Sequence, residues 1–118
     1  MEQKRKQTIL IADDSEINRS ILVDILGEEY DILEAEDGVQ AMAALRRHLT
    51  EIGLVLLDIV MPEMDGFEVL TVMNQQNWIE DIPVIMITAE TSPAHMERAY
   101  NLGVTDFISR PFNALLVH

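Results

Sequence analysis

Short apolar runs alternate along this chain with longer stretches in which apolar residues recur every three or four positions. The runs are Thr8-Ile9-Leu10-Ile11-Ala12, Tyr30-Asp31-Ile32-Leu33-Glu34-Ala35, Leu54-Val55-Leu56-Leu57, Ile82-Pro83-Val84-Ile85-Met86-Ile87-Thr88 and Asp106-Phe107-Ile108-Ser109. Their lengths and their β-branched content predict five strands. Pro83 lacks a ladder donor and belongs at the beginning of its strand. Between the first two runs, Ile17, Ile21 and Ile25 stand four apart with Leu22 and Leu26 beside them, which predicts a helix burying that face. Ser15 or Asp14 can cap its start, and Gly27 follows its end. Asp37-Gly38 opens a second helix carrying Ala41, Ala44, Leu45 and Leu49. Asp65 caps a third that runs from Gly66 through Met73. Ser92 caps a fourth, with Pro93 at its first helical position and Gly103 at its stop. Pro111 to His118 reads as the first turns of a fifth helix, cut short, so the chain is expected to be a fragment of a longer protein.

Strands joined by helices of about 10–15 residues predict an α/β fold, a doubly wound parallel sheet with helices on both faces. The strands are continuous apolar runs, as strands covered on both sides should be. The 118 residues suffice for one domain, 1–118. There is no cysteine, hence no disulfide framework, which fits a reducing cytoplasmic setting. No segment approaches the ~20 apolar residues of a membrane span. Eight basic against 21 acidic residues give a net charge of −13, which disfavours direct nucleic-acid contact. Lys4-Arg5-Lys6 reads as a solvated terminus rather than a basic patch.

The chemistry gathers at the carboxyl ends of the strands, where open parallel α/β sheets bind their ligands. Those ends carry Asp13-Asp14, Asp58, Thr88 and, after the fifth strand, Arg110, whereas Glu36 and Asp37 are expected to lie away from the cluster. Three neighbouring carboxylates repel one another, and a hard divalent cation with oxygen ligands is their natural counter-ion. Mg²⁺ fits best because it takes one or two carboxylates, keeps waters and leaves room for phosphate. His48, His95 and His118 fall on helical segments and are not expected as ligands. Asp58 on the central strand is then a carboxylate nucleophile toward phosphorus, with Arg110 as a cation and Thr88 as a hydroxyl donor for phosphoryl oxygens. The plainer alternative makes the same acids helix caps and solvated turns. Their joint placement at four strand ends favours the chemical one.

At these residues the chain resembles the receiver domains of two-component response regulators, from Thr8 to Phe112. "ILIADDSEINR" is similar to the family's first strand and acidic pair, and "LVLLDIVMPEMDGFEVL" to its phosphoacceptor strand and following loop. "PVIMITAE" is similar to the fourth strand with its switch hydroxyl, and "DFISRPF" to the fifth strand and its cation-Pro-Phe turn. The resemblance implies a flavodoxin-like sheet in order 2-1-3-4-5. It implies that Asp58 takes a phosphoryl group from a sensor histidine kinase or phosphotransfer protein, with Asp14 as a direct Mg²⁺ ligand, Asp13 as its acidic partner and the Val60 carbonyl completing the protein ligands. Thr88 becomes the hydroxyl that moves toward the phosphoryl group, Phe107 the aromatic switch that follows it, Ala89 the small residue leaving it space, and Pro62 and Gly66 loop-shaping positions. The switching surface is the face of the fourth helix, fifth strand and fifth helix, which in many relatives forms a homodimer. An output domain is expected after His118.

Arg110 departs from the family, which nearly always has lysine there. A planar fork and a compact ammonium are not interchangeable in a tight site. Three outcomes stay open: Arg110 reaches the phosphoryl group, it points elsewhere and alters signalling, or the domain is a docking module that works without phosphorylation. Val60 also matters, because valine cannot position an attacking water; the effect of Glu90 has no evident sign. Two enzyme-like or ligand-binding classes fit poorly. A haloacid-dehalogenase-like phosphatase wants an aspartate two residues after the nucleophile, where Val60 stands. A nucleotide- or flavin-binding domain wants a Gly-rich loop where "IADDSE" supplies acids.

Overall fold

The computed structural model describes residues 7–88 and 92–109. Lys4-Arg5-Lys6, Ala89, Glu90, Arg110 and the expected fifth helix from Pro111 to His118 lie outside the described residues. Five strands, β1 (Thr8–Ala12), β2 (Asp31–Ala35), β3 (Ile52–Asp58), β4 (Val84–Thr88) and β5 (Asp106–Ser109), form one parallel sheet in order β2-β1-β3-β4-β5. Both the parallel pairing and the strand order agree with expectation. The connecting helices are α1 (Glu16–Leu26), α2 (Gly38–Arg47), α3 (Gly66–Gln75) and α4 (Pro93–Asn101). β3 begins two residues before the apolar run because Ile52 pairs with Thr8, with an irregularity before Ile9 meets Leu54. It also takes in Asp58, which is in register with Ile87 of β4.

Alternate residues of the strands face two separate cores, as the two-residue period requires. Leu10, Ala12, Val55, Leu57, Val84 and Met86 join Ala41, Met42 and Leu45 of α2 and Val69, Leu70 and Met73 of α3 in the larger core. Ile9, Ile11, Leu56 and Ile87 join Leu22 of α1 in the smaller one. α4 is more lightly seated. It buries Ala99, its Tyr100 ring meets Phe107 of β5 edge-on at 5.4 Å, and its Arg98 lies 4.3 Å over the Phe67 ring of α3.

The caps follow the local chemistry. Ser15, Asp37 and Asp65 each accept a hydrogen bond from the backbone N–H three residues on. Ser92 occupies the same position before α4 without a side-chain cap bond.

The buried face of α1 differs from the sequence expectation. Ile17 and Ile21 are exposed, and the stripe turned to the sheet is Arg19, Leu22, Val23 and Leu26. That stripe also recurs at three- and four-residue intervals, but an arginine interrupts its apolar character. A short 3-10 turn at Trp78–Glu80, entered through Asn77 at φ 61°, also escaped the pattern reading. It lies far from the strand ends that matter below, leading into β4.

Candidate functional site

The site is built from the ends of three adjacent strands. β1 delivers Asp13 and Asp14 just past Ala12, β3 ends on Asp58, and β4 ends on Thr88. Asp13 and Asp58 are wholly buried, Thr88 is 5% exposed, and Asp14 is open to solvent. One carboxylate oxygen from each of Asp13, Asp14 and Asp58 lies within 4.8 Å of the others. Two buried carboxylates and one exposed carboxylate at this spacing form an all-oxygen donor set. They fit a hard divalent cation that keeps part of its water shell on the open side. Neither Glu36 nor Asp37 belongs to this group: Asp37 caps α2, and Glu36 turns toward α1.

Backbone contacts fix the two buried acids. The Asp13 N–H donates to the Ala35 carbonyl of β2 at 3.0 Å, and the Ser15 N–H donates to Asp13 Oδ1 at 2.8 Å. The Val60 N–H points back at Asp58 Oδ1 at 3.3 Å. The loop after Asp58 is tied down by its own backbone: Ile59 N–H donates to Ile87 O at 3.3 Å and Gly66 N–H donates to Ile59 O at 2.8 Å. Gly66 is needed there. A Cβ on it would overlap the Asp58 carbonyl oxygen and stand 3.0 Å from Ile59 Cα. Within the loop Glu63 takes φ 67°, a left-handed conformation for a residue with a side chain. The Val60 side chain is 71% exposed beside this loop.

A family profile described as "Response regulator receiver domain" matches residues 9–117. The chain belongs to this family. Among curated relatives, the receiver is 38% identical over 117 residues to a "Probable cyclic di-GMP phosphodiesterase" of Vibrio cholerae, covering 99% of this chain and 26% of that protein. It is 36% identical to a "Chemotaxis protein CheY homolog" of Campylobacter jejuni, covering 88% of this chain and 81% of the relative. Among solved structures, the CheX–CheY–BeF3–Mg²⁺ complex of Borrelia burgdorferi matches with a TM-score of 0.84 and 32% identity, covering 94% of this chain and 83% of that one. The receiver spans between 8% and 43% of the length of the first three curated relatives.

Of the residues singled out in the sequence, the receiver brings Asp13, Asp14 and Asp58 into one group and sets Thr88 at the end of the neighbouring strand. Phe107 is half-buried on β5, in register with Met86 and against Tyr100. His48 pairs with Glu51 at 3.3 Å and His95 packs beside Phe67, and neither belongs to the group of Asp13, Asp14 and Asp58. Arg110 falls outside the described residues. The pattern reading missed Arg19, a buried cation whose Nη1 donates to the Asp13 carbonyl at 2.6 Å. The available signal was an arginine at the head of the stripe completed by Leu22, Val23 and Leu26.

Proposed function

We propose that this receiver is a phosphorylation switch in which Asp58 accepts a phosphoryl group from the phosphohistidine of a sensor histidine kinase or phosphotransfer protein in the cytoplasm. A carboxylate oxygen of Asp58 attacks phosphorus, the P–N bond to the donor imidazole breaks, and the imidazole leaves with a proton. Asp13, Asp14, Asp58 and the Val60 carbonyl would hold Mg²⁺, which supplies charge neutralisation for the phosphoryl oxygens when bound. The observation that carries this reading is the group of three carboxylates within 4.8 Å, with the buried Asp58 ending the strand between β1 and β4. Thr88 and Arg110 would receive the new phosphoryl oxygens. Their movement would bias Phe107 between two positions and so alter the face of α4, β5 and the segment beyond.

The test is intact mass after incubation with a small acyl phosphate, with and without Mg²⁺, for wild type and Asp58→Asn. One phosphoryl adduct that requires Mg²⁺ and is absent from Asp58→Asn is the expected result. A folded wild type that takes no adduct from any donor overturns the proposal. It would favour the docking module, with Arg110→Lys as the next variant. The exposed Val60 side chain gives a second expectation. Val60→Asn, able to orient a water, should lose its phosphoryl group several-fold faster than wild type, measured by the decay of the adduct after donor removal. Equal decay rates would remove Val60 from the hydrolysis path.

A further inference from the structure

We propose that Arg19 is a positioning residue for the cation site, fixing the frame of Asp13 from beneath without touching the ion. The inference rests on the receiver reading above. Arg19 is the only buried basic residue among the described residues, its side chain 8% exposed. Taking a guanidinium out of water is costly unless its donors are used. Here they are directed at three acceptors. Nη1 donates to the Asp13 carbonyl at 2.6 Å, Nε donates to Glu34 Oε1 at 3.1 Å, and Nη2 lies 3.8 Å from Glu36 Oε1.

The acceptors explain what the fork does. Glu34 belongs to β2 and Glu36 follows it, while Asp13 follows β1. The Asp13 N–H is already bonded to Ala35 of β2. Arg19 therefore ties the Asp13 carbonyl to the same edge that holds its N–H. Asp13 Oδ1 in turn accepts from the Ser15 N–H, and Ser15 caps the helix that carries Arg19. Asp13, Ser15, α1 and Arg19 form a closed circuit, and the carboxylate at its corner is one of the three that can hold a metal ion.

Stability alone does not call for an arginine here. Leucine would continue the apolar stripe of Leu22, Val23 and Leu26, and ion pairs to carboxylates as exposed as Glu34 and Glu36 add little stability. Two effects on a bound cation oppose each other. The positive charge of Arg19 repels a cation, and its hydrogen bond orients a ligand. The charge is offset by Glu34 and Glu36 at close range, so the orienting effect dominates. Partners behind metal ligands typically contribute on the order of 10–100-fold in affinity.

The experiment is Mg²⁺ titration by calorimetry on wild type, Arg19→Met and Leu22→Ala, with thermal melts of each. Leu22 lies on the same face of α1 and its aliphatic side chain offers Asp13 no donor, so it reports generic loosening of the helix. The expected result is a Kd about tenfold weaker for Arg19→Met and unchanged for Leu22→Ala despite its lower melting temperature. Should Arg19→Met fail to fold, Arg19→Lys decides. It keeps the charge but cannot span the three acceptors, and should weaken Mg²⁺ at least several-fold. Wild-type affinity in the folded arginine variant, or an equal loss in Leu22→Ala, overturns the role of Arg19 and leaves the receiver reading intact. Absence of Mg²⁺ binding by wild type overturns both.

Discussion

Gly66→Ala should lower the melting temperature by about 10 °C and sharply reduce phosphoryl uptake. The added Cβ would meet the Asp58 carbonyl oxygen, the Asp58 carbonyl carbon and Ile59 Cα, all backbone atoms that no rotamer change can move aside. Relief requires that α3 retreat from β3 or that the end of β3 shift. A retreat breaks the 2.8 Å bond from the Gly66 N–H to Ile59 O and disturbs the Asp65 cap on Glu68. A shift displaces Asp58 from the other two carboxylates. Overpacking combined with one lost backbone bond costs about 3 kcal/mol. For a domain of this size each kcal/mol moves the melting temperature by about 4 °C. Thermal melts and adduct mass on the same preparation check both halves, and a variant melting within a degree or two of wild type would show that the approach of α3 to β3 is not as close as described.

The second large effect separates two faces of one helix. Leu22→Ala should cost about 3 kcal/mol, in the range for a fully buried leucine. Ile17→Ala should stay within about 0.5 kcal/mol of wild type, as exposed positions do. Leu22 is 1% exposed and Ile17 73% exposed. Urea denaturation of both variants measures the difference. The sequence pattern taken alone forecasts a loss at both positions, so a large loss at Ile17 would restore the face built on Ile17, Ile21 and Ile25.

That contrast shows where the pattern was legible and where it was not. Strands were readable because burial on both sides demands apolar residues at every position, as in Leu54 to Leu57. The strand order followed from the resemblance to receiver domains, and the site from the acids that end the long apolar runs of β1 and β3. Asp13, Asp14 and Asp58 could therefore be named before their spacing was known. α1 was misread because a helical period specifies a spacing and leaves the phase open. Two stripes, one through Ile17 and one through Arg19, satisfy it equally, and hydropathy selects the wrong one. Arg19 is buried because Asp13, Glu34 and Glu36 converge on it from two strands, a circumstance no local window contains. The turn at Trp78–Glu80 escaped because three residues are too few to show a period.

The way α4 is attached has a consequence for how this domain could carry a signal. α3 buries five of its ten residues, α4 one of its nine. Among the described residues, its ring contacts are a guanidinium over Phe67, His95 beside the same ring and the Tyr100 edge on Phe107, worth on the order of 1 kcal/mol each. Segments with few buried contacts open at free energies well below global unfolding. α4 is thus the compliant member of an otherwise stiff frame: a perturbation of a few kcal/mol at the sheet's edge can re-seat it while the strands that present Asp58 hold their register.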